Sequence, residues 1–141
     1  MIENFKIITL CGSTKFKDQF IAEQKRLTLE GNIVISVGLF GHSGDVEVFT
    51  DNTKEMLDNM HKRKIDLADE IFVINVGGYI GTSTKNEIEY AISTNKPVMY
   101  LENIQTKKEI IEDFITKLND SKDIDPEIAE IVNKNYDELF W

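Results

Sequence analysis

One apolar run decides the fold of this 141-residue chain: Glu70-Ile71-Phe72-Val73-Ile74-Asn75-Val76. A strand with one face in water alternates apolar and polar side chains, whereas a strand covered on both faces is apolar throughout. The residues from Ile71 to Ile74 are all apolar. They therefore predict the central strand of a parallel sheet.

Strand and helix patterns alternate on both sides of that run. β-rich stretches predict three further strands, over residues 6–10, 32–37 and 96–101. Apolar positions at helical spacing predict helices over residues 15–30, 53–67 and 83–94. This alternation is typical of an α/β fold, a parallel sheet with right-handed crossovers and helices on both faces.

The same spacing predicts which side of each helix faces the sheet. In the first helix the apolar stripe consists of Phe16, Phe20, Ile21 and Leu27. In the second helix it consists of Met56, Leu57, Met60 and Ile65. Two C-terminal amphipathic helices, over about residues 105–141, complete a single domain whose α/β core spans about residues 5–101.

Composition and charge exclude several classes of partner. Hydrophobic residues make up 41% of the chain, which is enough for a buried core. A net charge of −9 repels a nucleic acid polymer, although a local loop can still bind a small anion. No stretch is long enough to predict a leader or a membrane span, and the single Cys11 cannot form an internal disulfide. We therefore expect a cytoplasmic protein with no membrane partner.

Three loops follow the predicted strands, and ligands of such folds bind at the carboxyl ends of the strands. The first contains Gly12, Ser13, Thr14 and Lys15, which suit either a phosphate cradle or a capped turn with a surface lysine. The second contains Phe40, which could stack on a base, and His42, which could contact one. The third contains Gly81, Thr82 and Ser83, and the helix after it carries Glu87.

The remaining titratable residues give weaker signals. His61 stands beside Lys62, Arg63 and Lys64, a context that favours a solvated basic helix face. The two histidines and the cysteine are far apart in sequence, so no metal-ligand spacing is present and no metal is expected. A serine-nucleophile elbow is also missing from the sequence.

Several short motifs, taken in order, resemble the nucleoside 2-deoxyribosyltransferase superfamily, and within it the 2'-deoxynucleoside 5'-phosphate N-hydrolases. They are Ile8-Thr9-Leu10-Cys11-Gly12-Ser13-Thr14-Lys15, Ala68-Asp69-Glu70-Ile71-Phe72-Val73, Glu87-Ile88-Glu89-Tyr90-Ala91 and Asn95-Lys96-Pro97-Val98. The similarity covers about residues 5–101. The resemblance implies a flavodoxin-like (Rossmann-like) sheet of four to five strands and chemistry at an N-glycosidic bond.

The resemblance also implies roles for particular residues. Glu87 matches the family's nucleophile, and Lys15 matches the basic residue that holds a 5'-phosphate. Gly12, Ser13, Thr14, Gly81, Thr82 and Ser83 would surround the sugar and phosphate, with Phe40 and His42 over the base. The resemblance implies a small-molecule nucleoside or nucleotide ligand, no cofactor, and assembly as a homo-oligomer, a dimer or larger.

Three positions depart from the family pattern. Glu89 stands in place of a glycine, Gly81 in place of an acid or serine, and His61 in place of a helper aspartate. A nucleotide-binding module without catalysis therefore remains an alternative. Two weaker alternatives are a flavin-binding flavodoxin relative and a nucleotide phosphoribohydrolase, whose glycine-rich signature residues 77–82 partly echo.

Overall fold

A computed structural model describes residues 2–41, 51–102, 112, 115 and 116. Four strands lie in the described ranges: β1 (Ile7–Gly12), β2 (Ile33–Ile35), β3 (Glu70–Ile74) and β4 (Val98–Tyr100). The helices are α1 (Lys17–Leu29), α2 (Asp51–Leu67) and α3 (Thr82–Ser93). Short 3-10 turns at Thr14–Phe16 and Val76–Gly78 follow β1 and β3.

The four strands form one parallel sheet in the order β2-β1-β3-β4. The β1 and β3 registers place Cys11 opposite Val73 and Gly12 opposite Ile74. Strand order reverses between β1 and β3, so the loops after these two strands diverge to opposite faces and open a crevice. The predicted α/β fold is confirmed, and it is compatible with a flavodoxin-like sheet.

Two apolar layers cover the two faces of the sheet. On one face Leu10 and Ile74 pack with Phe20 and Leu27 of α1. On the other face strand and helix residues form a second cluster: Cys11, Ile71, Val73 and Val98 of the strands with Ile65, Ile88, Ala91 and Ile92. The side chains of β1 and β3 alternate between these layers, which is why both strands are apolar at nearly every position.

The inward face of α2 differs from the predicted one. Met56 and Met60 are 48% and 46% exposed, whereas Ile65 is fully buried. The buried stripe follows the spacing of four that joins Leu57, His61 and Ile65, so each methionine lies one residue, about 100°, off that stripe. The expectation that both methionines face the sheet was wrong.

The predicted stripe of α1 needs one correction as well. Ile21 is 53% exposed, while its neighbour Phe20 is completely buried. Adjacent helical residues point about 100° apart around the helix axis, so Phe20 can face the sheet while Ile21 faces away from it.

The two predicted C-terminal helices lie mostly outside the described residues, although residues 112, 115 and 116 are helical and Ile115 packs on the cluster that includes Ile65. The described helices are too short or too polar to cross a lipid bilayer.

Asn75 joins the ends of β3 and β4. Its side chain is fully buried, its amide nitrogen donates to the carbonyl of Glu102, and its amide oxygen accepts from the Glu102 backbone N–H at 2.8 Å. The Glu102 carboxylate in turn accepts from the backbone N–H of Gly77. One side chain thus makes two hydrogen bonds with the backbone just beyond the end of β4.

We expect Asn75→Ala to lower the free energy of unfolding by about 2 kcal/mol, because it leaves backbone groups of Glu102 without partners. Urea denaturation of the variant measures this loss. Asn59→Ala, at an exposed position of α2, is the matched control and should change stability by less than about 0.5 kcal/mol. Equal effects of the two substitutions would contradict the structural role of Asn75.

Candidate functional site

Three side chains from different elements meet on the α2/α3 face of the sheet. They are Cys11 near the end of β1, His61 in the middle of α2 and Glu87 in the second turn of α3. The Cys11 Sγ lies 3.3 Å from the His61 Nε2, and that nitrogen lies 3.2 Å from a Glu87 carboxylate oxygen. Cys11 is fully buried, while the side chains of His61 and Glu87 are 11% and 16% exposed. The group is therefore enclosed but reachable from solvent.

Hydrogen bonds between the elements hold this group in place. The Thr9 hydroxyl donates to the Lys64 carbonyl at 2.8 Å, which fixes α2 against β1. The Tyr90 hydroxyl donates to Asp66 at 2.6 Å, which ties α3 to α2. Thr9 and Cys11 are two residues apart on one strand, so both face α2. The first contact therefore fixes the position of His61 relative to the sheet, and the second fixes α3, which carries Glu87, relative to α2.

Burial sets the protonation of the group. The pKa of Glu87 is raised to about 8, chiefly by burial and also by the negative charge of Asp58. Burial and the positive charge of Lys64 lower the pKa of His61 to about 4, against smaller opposing effects of Asp58 and a hydrogen bond with the backbone of Leu10. Burial, with the charge of Glu87, raises the pKa of the Cys11 thiol. At neutral pH all three groups therefore favour their uncharged forms.

The first predicted loop turns directly after Cys11. The Ser13 hydroxyl accepts from the Lys15 backbone N–H at 3.4 Å and so caps the short turn that follows. The Lys15 ammonium lies 3.4 Å from the centre of the Tyr79 ring and 5.1 Å from that of Phe16. Contact with two rings holds this exposed cation at the mouth of the crevice, between the first and third loops.

The third loop leads into α3. Gly81 is the residue before the helix, and as a glycine it has no side chain to cap the first-turn N–H groups. Thr82 and Ser83 are exposed in that first turn, and Glu87 follows one turn later. Backbone N–H groups at a helix N-terminus, together with two exposed hydroxyl side chains, form an environment that suits an anion.

The second loop contributes less to the described site. Phe40 packs edge to face on Phe20, with ring centres 5.6 Å apart, as part of the α1 layer. The cluster of Cys11, His61 and Glu87 lies on the opposite face of the sheet. His42 lies outside the described residues.

Sequence reasoning placed His61 on a solvated basic face, and this expectation was wrong. The three cationic residues that follow His61 suggested an exposed position, whereas His61 lies on the buried stripe of α2. The spacing of four from Leu57 and Ile65 was the available signal. The sequence spacing of His61 and Cys11, which showed no metal-ligand pattern, also gave no sign that the fold brings these two residues together.

Comparison with family models, with curated proteins and with solved structures gives no match. The resemblance to the nucleoside 2-deoxyribosyltransferase superfamily thus stays a prediction from the motifs.

Proposed function

We propose that this protein cleaves, or transfers across, the N-glycosidic bond of a (deoxy)nucleoside or its 5'-monophosphate, with Glu87 as the nucleophile. The observation that supports this most strongly is the position of Glu87. A Glu87 carboxylate oxygen lies 3.2 Å from the His61 Nε2, which contacts Cys11 near the carboxyl end of β1, one of the two strands that border the β1/β3 crevice. The Glu87 side chain is enclosed but 16% exposed. Ligands of doubly wound sheets bind in that crevice.

The reaction needs two displacements at one carbon. In its ionised form, a Glu87 carboxylate oxygen attacks the anomeric carbon while the bond from that carbon to the base nitrogen breaks. The base leaves with the electron pair and takes up a proton from water. Water or an acceptor base then attacks the same carbon, gives up a proton to solvent and releases the Glu87 carboxylate. The transition states resemble an oxocarbenium ion, so a carboxylate in an enclosed site stabilises them.

His61 occupies the place of the family's helper acid. Its Nε2 lies 3.2 Å from the Glu87 carboxylate oxygen, close enough to hold the carboxyl group in one orientation. We therefore assign His61 the role of a positioning residue for Glu87. This contact supports catalysis over the alternative of a module that only binds nucleotides.

A chromatographic assay for free base tests the proposal. The protein, kept free of divalent cations by a chelator, is incubated with ribo- and deoxyribonucleosides and their 5'-monophosphates, with and without an acceptor base. Release of a base, or its exchange for the acceptor, is the expected result. No release from any substrate would overturn the proposal, and thermal stabilisation by one of the same ligands would then identify a binding module.

Lys15 provides a separate prediction about the phosphate. We expect Lys15→Met to weaken binding of a 5'-monophosphate by about tenfold, because one charge-assisted hydrogen bond is lost, and to leave the unphosphorylated nucleoside unaffected. Calorimetric titration measures both affinities without requiring turnover. Lys17→Met is the control, since that ammonium lies 5.6 Å from the Phe40 ring centre, on the α1 side. Equal losses for both ligands would argue against a phosphate contact.

A further inference from the structure

The cluster of Cys11, His61 and Glu87 brings one sulfur, one nitrogen and one oxygen donor together. All three donor atoms lie within 4.8 Å of one another. The nitrogen is 3.3 Å from the sulfur and 3.2 Å from a carboxylate oxygen. In a tetrahedral zinc site, ligand bonds of about 2.0–2.3 Å place neighbouring donor atoms about 3.3–3.6 Å apart. The two separations that involve the nitrogen are close to those edges, and the sulfur-to-oxygen separation is at most 4.8 Å.

From this geometry we propose that the cluster is a binding site for Zn²⁺, with Cys11, His61 and Glu87 as three ligands and a solvent molecule as the fourth. The donor set is typical of zinc, because Mg²⁺ and Ca²⁺ avoid sulfur. Three protein ligands with one open position is the arrangement of zinc sites that exchange their fourth ligand. The partial exposure of His61 and Glu87 leaves a path for that solvent molecule.

Hydrogen bonding within the cluster satisfies only some of these groups. The single Nε2 faces both the sulfur and the carboxylate, and it can bond well to one of them at a time. A divalent cation would engage all three donors together. It would also balance the charges of a thiolate and a carboxylate, which are costly to enclose without a partner.

The surroundings resemble the outer shell of a metal site. The backbone of Leu10 hydrogen-bonds with the His61 ring, and metal-bound histidines usually have such an outer partner. On the sulfur side, the sheet register aligns Cys11, Val73 and Tyr100 in one row. The Tyr100 hydroxyl is buried and has no hydrogen-bond partner among the described residues.

The zinc site does not rest on the proposed glycosidic activity, because only the three side chains are needed to form it. The two proposals meet at Glu87. When Zn²⁺ is bound, it takes up a lone pair of the Glu87 carboxylate that would otherwise attack the anomeric carbon. Zn²⁺ should therefore inhibit base release. The site would then switch the enzyme off when the metal is present.

Cobalt is the probe for the test, since Co²⁺ takes the geometry of Zn²⁺ and absorbs visible light. Reduced, metal-free protein is titrated with Co²⁺, and Zn²⁺ is then added. We expect a thiolate-to-cobalt charge-transfer band and the visible bands of a four-coordinate ion, both lost when Zn²⁺ displaces Co²⁺. On binding, the thiol proton passes to the buffer. Absence of the charge-transfer band would overturn the proposal.

Three variants assign the ligands. Cys11→Ser, His61→Gln and Glu87→Gln should each weaken Zn²⁺ binding beyond the roughly 10–100-fold that loss of an outer hydrogen-bond partner causes. Glu89→Gln, on the same helix as Glu87, should bind as the parent does. Circular dichroism shows which variants are folded, and Glu87→Gln preserves the shape of the side chain should Cys11→Ser unfold. Parent-like affinity in every folded ligand variant would overturn the site.

The two assays distinguish failure of the metal-site proposal from failure of the glycosidic proposal. The cobalt spectrum is recorded with no nucleoside present, and base release is assayed with a chelator present. Cobalt binding without base release would retain the metal site and remove the glycosidic activity. Base release without a cobalt spectrum would do the reverse.

Discussion

Glu87→Gln is expected to lower the rate of base release by a factor of about 10⁴ or more, because loss of a nucleophile removes the covalent route altogether. The amide keeps the shape of the carboxyl group and a hydrogen-bonding atom toward His61, which lies 3.2 Å from the native oxygen. It carries no negative charge for attack on the anomeric carbon or for stabilising the oxocarbenium-like transition state. Chromatographic detection of free base over a long incubation measures the residual rate.

Nucleoside binding and folding should be preserved in Glu87→Gln. Glu87→Gln loses a carboxyl group whose burial already raises its pKa to about 8, so the neutral amide fits the enclosure without a new desolvation cost. The control is Glu89→Gln, two residues further along α3, which should keep the parent rate within a few-fold. Substantial turnover by Glu87→Gln, with folding intact, would assign the chemistry to another residue.

The fold was predictable because its central strand is covered on both faces, and such a strand must be apolar throughout. Ile71, Val73 and Ile74 are fully buried, in two layers on opposite faces of β3, and only apolar side chains suit both environments. The alternation of helices and strands then restricts the topology to a parallel sheet with helical crossovers. The strand ends were less predictable: β4 begins at Val98, whereas the pattern suggested residue 96. Side-chain patterns do not define where ladder hydrogen bonding stops.

The site was only partly predictable. Glycines, hydroxyls and Lys15 after the first strand indicated the crevice, since the carboxyl ends of parallel strands lie at one edge of a sheet. The cluster of Cys11, His61 and Glu87 was missed because its members are joined by tertiary packing and not by sequence spacing. His61 lies on the buried stripe of α2, but the charged residues beside it in sequence led to its assignment to the surface. Helical register from Leu57 to Ile65 is a stronger guide there than local composition.

Gly12→Ala is expected to lower the free energy of unfolding by about 3–5 kcal/mol, from backbone strain and a steric overlap together. The backbone φ of Gly12 is +149°, a conformation that residues with a Cβ rarely adopt. A Cβ at this position would lie 2.7 Å from the carbonyl oxygen of Ile74 and 3.1 Å from its Cβ. Both atoms belong to β3, directly opposite in the sheet register, so they cannot move without opening the ladder. The loss is a large part of the roughly 5–15 kcal/mol that stabilises a domain.

Gly31→Ala separates the two contributions. Gly31 also has a positive φ, +97°, but a Cβ built there meets no atom within 4 Å. It should therefore cost only the backbone strain, about 1–2 kcal/mol. Urea denaturation of the two variants gives the steric contribution of the Ile74 contact as their difference. A difference near zero would show that β1 and β3 can separate at this point, and the crevice floor between Cys11 and the first loop would then be adjustable and not fixed by the sheet.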